Sequence, residues 1–291
     1  MVQTRKLSLV SQNWLNFLIL ACLVLLYAPV LVHWYDGWLN KTIGIEHEYF
    51  SHGIIGLPFA GYLSWINRKK WRRLPNQAHP FGAGLLVVGA AMYLTGTPQL
   101  VNLSFPALLS GLVLWLKGVP GLQMHSIPLL LVLLATPNAI PYLITPYTLP
   151  LQQFIAGTAA FILLQFGLEV SVQEIYLTVG GRIVEVAPYC AGLKMLFTSL
   201  YVAFMLLCWT DNLGDRHKMT LLLSGTAIIA VISNILRNTL LTFFYGTGQE
   251  ELFHWLHDSW GGDLYLAGTL GSIILLLKVL DSGPLDSPRT P

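Results

Sequence analysis

Long apolar runs, separated by short polar segments, recur along almost the whole chain. A run of about 20 mostly apolar residues can cross a bilayer, and shorter runs are tolerated inside a helical bundle. The pattern predicts about eight membrane-spanning helices, near residues 14–32, 53–66, 81–96, 99–116, 121–136, 191–210, 219–241 and 263–280. Because no stretch resembles an independent soluble core, we expect one membrane-embedded domain over 1–291, with a disordered polar tail at 281–291.

One further apolar run, over residues 149–167, does not fit as a full span. If it crossed the membrane, each later loop would lie on the opposite side, and the side on which Lys and Arg are in excess would be reversed for those loops. We therefore expect an interfacial or re-entrant helix instead. Between Leu168 and Val186 the pattern changes to short apolar stretches on either side of Gly180 and Gly181. This segment predicts a short β-hairpin on the outer side of the membrane.

The composition agrees with a membrane protein and argues against a nucleic-acid-binding one. Hydrophobic residues make up 54% of the chain and charged residues 10%, whereas soluble domains carry about 25% charged residues. The net charge of +2 is too small for a nucleic-acid footprint, so no nucleic-acid partner is expected. The predicted fold class is an all-α polytopic membrane protein with the lipid bilayer as its surroundings.

The basic residues predict an orientation for the chain. Most of the 16 Lys and Arg residues fall in alternate loops, with the densest block at residues 68–73, while most of the 14 carboxylates fall in the other loops. Because cytoplasmic loops carry the excess of Lys and Arg, both termini are expected in the cytoplasm.

Cys190 is the one cysteine that this topology places on the outer side. It precedes an apolar segment, so a helix beginning there would stabilise its thiolate, which is the nucleophilic form. Cys22 and Cys208 are expected to be buried hydrophobes. A single cysteine in isolation is most often an inert packing residue, and the case for chemistry depends on its neighbours.

Two other residues are predicted at the same membrane level as Cys190. Arg237 lies in an otherwise apolar span, where an unpaired charge is costly, and Asn234 shares its helix face. His257 lies just outside the last span, where it could act as a base for a cysteine while Arg237 stabilises an oxyanion. An arginine that simply reaches for lipid headgroups is the competing interpretation of Arg237.

His254 and Asp258 flank His257 and leave two interpretations open. Either they orient His257, or they belong to a solvated aromatic-rich loop. A metal site built from His254, His257, Asp258 and the distant His52 is a weaker alternative because no HExxH pattern is present. We expect no metal and no cofactor.

Four segments together resemble the exosortase/archaeosortase family of membrane-embedded transpeptidases. They are residues 49–58 around His52, residues 186–193 around Cys190, Asn234 to Asn238, and His257 with Gly261. In the first segment Phe50 is inserted between Tyr49 and Ser51. The features around 257–262 are most similar to the cyanobacterial branch.

The resemblance implies a reaction and a location. Cys190 would be the nucleophile, Arg237 the oxyanion or substrate-orienting group and His257 the general base or acid, with Asn234, His52, His254 and Asp258 in supporting or substrate-binding roles. Family members cleave a C-terminal sorting signal made of a short motif, often Pro-Glu-Pro, a transmembrane helix and a basic tail. The implied partners are such membrane-anchored proteins and an acceptor of unknown identity. The implied location is the bacterial inner membrane, with the active site at the periplasmic face.

Two other function classes stay open at this point. A polytopic transporter could use Arg237 and the outer histidines to bind a solute, although the chain shows no internal repeat and its polar residues gather at one surface. An inactive family member could serve as an assembly scaffold for the envelope, because catalysis requires Cys190, Arg237 and His257 to meet.

Overall fold

A computed structural model describes residues 2–39, 49–186 and 192–282 of the chain. Internal contacts divide the protein into two compact units, over residues 1–138 and 139–291. Cys190 lies outside the described residues, as does the predicted tail apart from its first two residues.

The first unit is entirely helical in its described part. Its helices are α1 (Val2–Leu39), α2 (Gly53–Ile66), α3 (Arg68–Arg73), α4 (Pro80–Leu94) and α5 (Pro98–Ala135). Helix α3 is a short basic helix with no buried residue, as expected for a segment that carries the densest block of charge.

Glycines allow the close approach of α4 and α5. A Cβ atom built on Gly82 would lie 2.6 Å from the backbone nitrogen of Trp115, and one on Gly111 would lie 3.0 Å from the nitrogen of Leu86. Small residues at such contacts bring backbones together and are typical of helix packing in membranes.

Buried hydrogen bonds join α1 to α5. Trp34 is fully buried and donates from Nε1 to Oδ1 of Asn102 at 2.7 Å. Asn102 in turn donates from Nδ2 to the carbonyl oxygen of Pro137 at 3.1 Å. Both polar groups of the Asn102 side chain are therefore satisfied inside an apolar unit, where unpaired groups are costly.

The second unit combines helices with a small sheet. Its helices are α6 (Ile140–Ile144), α7 (Leu149–Gln165), α8 (Leu193–Trp209), α9 (Arg216–Gly246), α10 (Glu250–Asp258) and α11 (Trp260–Ser282). Asp215 caps the long α9 by accepting hydrogen bonds from the backbone nitrogens of His217 and Lys218. These hydrogen bonds, of which the one from Lys218 has the larger effect, hold the pKa of the Asp215 carboxyl below its ordinary value.

The sheet has three antiparallel strands, one more than the predicted hairpin. The strands β1 (Val170–Gln173), β2 (Tyr176–Val179) and β3 (Arg182–Glu185) lie in the order β1-β2-β3. The turn at Gly180 and Gly181 joins β2 to β3, which confirms the hairpin. The additional strand arises because Glu174 adopts a φ of 56° and reverses the chain, a conformation that the apolar alternation does not reveal.

The structure supports a membrane protein but not the count of eight spans. Within residues 2–39, 49–186 and 192–282, four helices are long and apolar enough to cross a membrane, and five if a bent pair counts as one span. The predicted spans at 53–66, 81–96 and 191–210 correspond to helices of 14, 15 and 17 residues. At 1.5 Å per residue these helices are shorter than a hydrocarbon core of about 30 Å.

Two other predicted spans, 99–116 and 121–136, are the halves of α5. Non-helical backbone angles at Gly118, with φ 61° and ψ −156°, form a kink between the two halves. Gly118 tolerates these angles because it has no Cβ.

The bent pair is the segment for which a re-entrant or interfacial helix was predicted. Residues Ile140–Tyr147 and Leu149–Gln165 meet at an angle of 61°, which is compatible with a broken span or a re-entrant loop. The helix at Leu149–Gln165 agrees closely with the predicted run.

Candidate active site

The polar face of α9 lies inside the second unit. Asn234 and Asn238 are almost completely buried. Asn238 donates from Nδ2 to the backbone oxygen of Asn234 at 2.9 Å and approaches its Oδ1 at 3.3 Å. The latter contact orients the Asn234 amide, whose Nδ2 has no hydrogen-bond partner within the described ranges. A buried amide donor without a partner is costly and is therefore a candidate for binding a ligand or substrate.

The segment that contains Cys190 is anchored on both sides. Before it, Val186 donates its N–H to the oxygen of Ile175 at 2.9 Å and accepts a hydrogen bond from Nε2 of Gln152 at 2.8 Å. After it, Gly192 has a φ of +83° and packs against Asn234, since a Cβ on Gly192 would lie 2.6 Å from Asn234 Cγ. The chain two residues beyond Cys190 therefore contacts the polar face of α9.

Arg237 lies one helical turn from Asn234 and points toward the junction of α10 and α11. A Cβ built on Gly262 would lie 4.0 Å from Nη2 of Arg237 and 2.9 Å from the backbone oxygen of Leu256. A hydrogen bond joins the start of α11 to α9 nearby. The hydroxyl of Tyr265 donates to the backbone oxygen of Ser233 at 2.6 Å. Arg237 is thus close to Gly262, at the start of α11.

His257 is held by a carboxylate and an aromatic ring. Its Nδ1 donates to Oδ1 of Asp258 at 2.5 Å, and its ring stacks on Phe253 with centroids 5.2 Å apart and planes 8° from parallel. His254 bonds the other oxygen of Asp258 through Nδ1 at 3.0 Å. Because Nδ1 of His257 carries the proton toward Asp258, the basic nitrogen of the neutral ring is Nε2.

The electrostatics of Asp258 follow from these contacts. Partial burial alone would raise the pKa of its carboxyl, but hydrogen bonds from His254 and His257 and their charges lower it below its ordinary value. Asp258 is therefore ionised at neutral pH and suited to orient and stabilise a protonated imidazole.

A groove runs beside His257 within the second unit. This cavity, of about 490 Å³, has residues 183–185 of β3 along one wall and Phe253 and His257 of α10 along another. Its floor includes Asn238 and Tyr245, which lie on one face of α9. We call it the β3 groove.

Five of the seven predicted site residues lie in the second unit, in two groups. His254, His257 and Asp258 form one hydrogen-bonded cluster, and Arg237 and Asn234 lie on adjacent turns of α9 in the same unit. His52 belongs to the first unit, where it is buried and its Nε2 lies 3.1 Å from the oxygen of Leu134. Its supporting role stays a prediction, as do the assigned roles of the other residues.

The structure also shows contacts near the predicted site that involve residues the sequence did not single out. Phe253 precedes His257 by four residues, the spacing at which two side chains meet on a helix face, so this contact could have been anticipated. The hydrogen bond of Gln152 to Val186 joins residues 34 positions apart and leaves no local signal. Across the described residues, no group of three or more His, Cys, Asp or Glu side chains is arranged to hold a metal ion.

Comparison with known proteins gives one significant match. The family described as transmembrane exosortase (Exosortase_EpsH) matches residues 34–274. No curated protein and no solved structure matches the chain significantly. The matched region covers most of the chain and includes the segments around His52, Cys190, Arg237 and His257, so the protein belongs to the transmembrane exosortase family.

Proposed function

We propose that the protein is a cysteine protease and transpeptidase that cleaves a C-terminal sorting signal from membrane-anchored proteins and transfers them to an acceptor. The observation that carries the proposal is the contact between Gly192 and Asn234. Because Gly192 follows Cys190 by two residues and Asn234 lies one turn from Arg237, this contact supports the proposal that the nucleophile acts beside Arg237.

In the proposed reaction, His257 takes the proton of the Cys190 thiol, and the resulting thiolate attacks the carbonyl carbon beside the sorting motif. The carbonyl π electrons move to the oxygen, and Arg237 stabilises the resulting negative charge. Collapse of this intermediate breaks the C–N bond, and the departing amine takes a proton from His257. A thioester on Cys190 remains, and an acceptor amine or water attacks it while His257 takes up the proton of the incoming group.

The surroundings suit these roles. An ordinary cysteine with a pKa of about 8.5 is only a few per cent ionised at pH 7, so a cation and a helix N-terminus near the thiol increase the reactive fraction. Asp258, with His254, orients His257 so that Nε2 is the nitrogen that transfers the proton. The buried amide of Asn234 supplies a donor to the substrate beside Gly192.

The proposed location is the bacterial inner membrane, with both termini in the cytoplasm and the site at the periplasmic face. The basic helix α3 supports this orientation through the positive-inside rule. The topology retains eight crossings if the two halves of α5 and the short helices α2, α4 and α8 cross a locally thinned bilayer.

Reporter fusions after residues 75, 97 and 212 test this topology. A reporter that is active only in the periplasm should be active in the fusion after residue 97 and inactive in the other two.

The decisive experiment is co-expression with a candidate substrate that carries a Pro-Glu-Pro motif, a transmembrane helix and a basic tail. The wild type should shorten the substrate and Cys190→Ala should not, because the thiol provides the attacking electrons. Cys22→Ala and Cys208→Ala are matched controls and should process normally. Processing by Cys190→Ala would contradict the proposal, whereas a thioester adduct mapped to Cys190 would argue against the transporter.

A further inference from the structure

The β3 groove exposes the edge of a strand, not only side chains. Side chains of successive strand residues point to opposite faces of a sheet. Three consecutive residues, Ile183, Val184 and Glu185, nevertheless line the groove. The backbone edge of β3 therefore forms part of its wall, and β3 is the terminal strand of the sheet that the structure describes.

The register identifies which backbone groups face this edge. In an antiparallel pair, residues alternate between those whose N–H and C=O groups face the partner strand and those whose groups face away. Val186 donates its N–H to Ile175 on the β2 side, and Arg182 pairs with Val179 across the two-residue turn. By this alternation, the N–H and C=O groups of Ile183 and Glu185 point away from β2.

An ion pair joins β3 to α10 beside the groove, and the proposed base lies in the groove wall. Arg182 Nη1 and Glu250 Oε1 form an ion pair at 2.6 Å that joins the first residue of β3 to the first residue of α10. His257, near the opposite end of α10, also lines the groove. The chain that leaves β3 reaches Cys190 five residues after Glu185.

We propose that the β3 groove binds an extended segment of the substrate polypeptide as a fourth strand, hydrogen-bonded to Ile183 and Glu185, and so presents the scissile bond to His257. The inference rests on the proposed function and names how that site holds its substrate. The four residues of β3 span about 13 Å at 3.3 Å per residue, which matches a segment of about four residues. An added strand gains affinity from main-chain hydrogen bonds, and selectivity from pockets for alternate side chains.

The test is a backbone scan of a synthetic probe. A fluorescein-labelled nonapeptide with Pro-Glu-Pro at its centre is titrated against the full-length protein in lipid nanodiscs, and its Kd is measured by fluorescence anisotropy. Each non-proline nitrogen is then methylated in turn. Because proline has no N–H, its two positions must face away from β3. Methylation at the central Glu, or at a residue an even number of positions from it, should raise Kd about two- to tenfold, because it removes one hydrogen bond to β3. Methylation at a residue an odd number of positions from the central Glu should have little effect.

A pair of protein variants tests the same edge from the other side. Ile183→Pro removes an N–H that faces the groove and leaves the β2–β3 ladder intact, because proline is tolerated at edge strands. Ile183→Ala is its matched control, since it shortens the side chain but keeps the N–H. We expect Ile183→Pro to bind the probe about two- to tenfold more weakly than Ile183→Ala.

Binding and cleavage are measured separately, so two failures are distinguishable. A methylation profile without a period of two, equal binding by the two variants, or no binding by the wild type would overturn the fourth-strand proposal. Periodic binding without cleavage would support this proposal and count against the protease. Cleavage with a methylation profile that has no period of two would support the protease and count against the fourth-strand proposal.

Discussion

Substitution of Gly192 by alanine tests the contact on which the proposed active site depends. Gly192 has a φ of +83°, and a Cβ there would lie 2.6 Å from Cγ and 2.7 Å from Nδ2 of Asn234. The left-handed backbone costs alanine about 1–2 kcal/mol. Displacing the buried Asn234 amide adds about 1–3 kcal/mol, the usual cost of overpacking. Gly192→Ala should therefore destabilise the protein by about 2–5 kcal/mol.

Gly181→Ala is the matched control for this variant. Gly181 also has a positive φ, of 78°, but a Cβ there would meet no atom within 4 Å. Its alanine variant isolates the cost of the backbone conformation, about 1–2 kcal/mol. The difference between the two variants measures the steric conflict with Asn234.

The assay is thermal unfolding of the purified variants in the same detergent, followed by tryptophan fluorescence. Each kcal/mol corresponds to about 2–4 °C for proteins of 150–250 residues, so the steric difference of about 1–3 kcal/mol should make Gly192→Ala unfold roughly 2–12 °C below Gly181→Ala. Adding Asn234→Ala should recover part of that difference, because it removes both atoms that the new methyl group would strike. Equal unfolding midpoints for the two glycine variants would refute the packing argument.

Two further predictions concern polar contacts in the two units. Asp258→Asn should lower the unfolding midpoint most above about pH 5. The difference from the wild type should vanish as pH falls through the lowered pKa of Asp258, because the stability that an ionised carboxyl contributes is lost when it is protonated. Thermal scans from pH 3 to 7 measure this difference, and a difference that does not change with pH would contradict the prediction. Trp34→Phe should destabilise the protein by about 1–3 kcal/mol, because it leaves Oδ1 of the buried Asn102 without its donor. The exposed Trp65→Phe is its control in the same unfolding assay, and an equal effect of both variants would refute the reasoning.

Much of the candidate site was predictable because its parts are close in sequence. Phe253, His254, His257 and Asp258 all lie on one helix of nine residues, so their contacts follow from helical spacing and chain adjacency. The family motifs predicted the proposed catalytic partners of His257, which are Cys190 and Arg237. The distances between those partners were not predictable, since they depend on how α8, α9 and α10 pack.

The sequence by itself determined that the chain is a helical membrane protein with a hairpin at Gly180 and Gly181, because apolar run length and turn residues act locally. Only the tertiary structure decided that Glu174 creates a third strand and that the edge of β3 and His257 line the same groove. Strand edges and packing contacts join residues distant in sequence, such as Gly192 and Asn234. Their geometry depends on which backbones can approach closely, which no local pattern of polarity encodes.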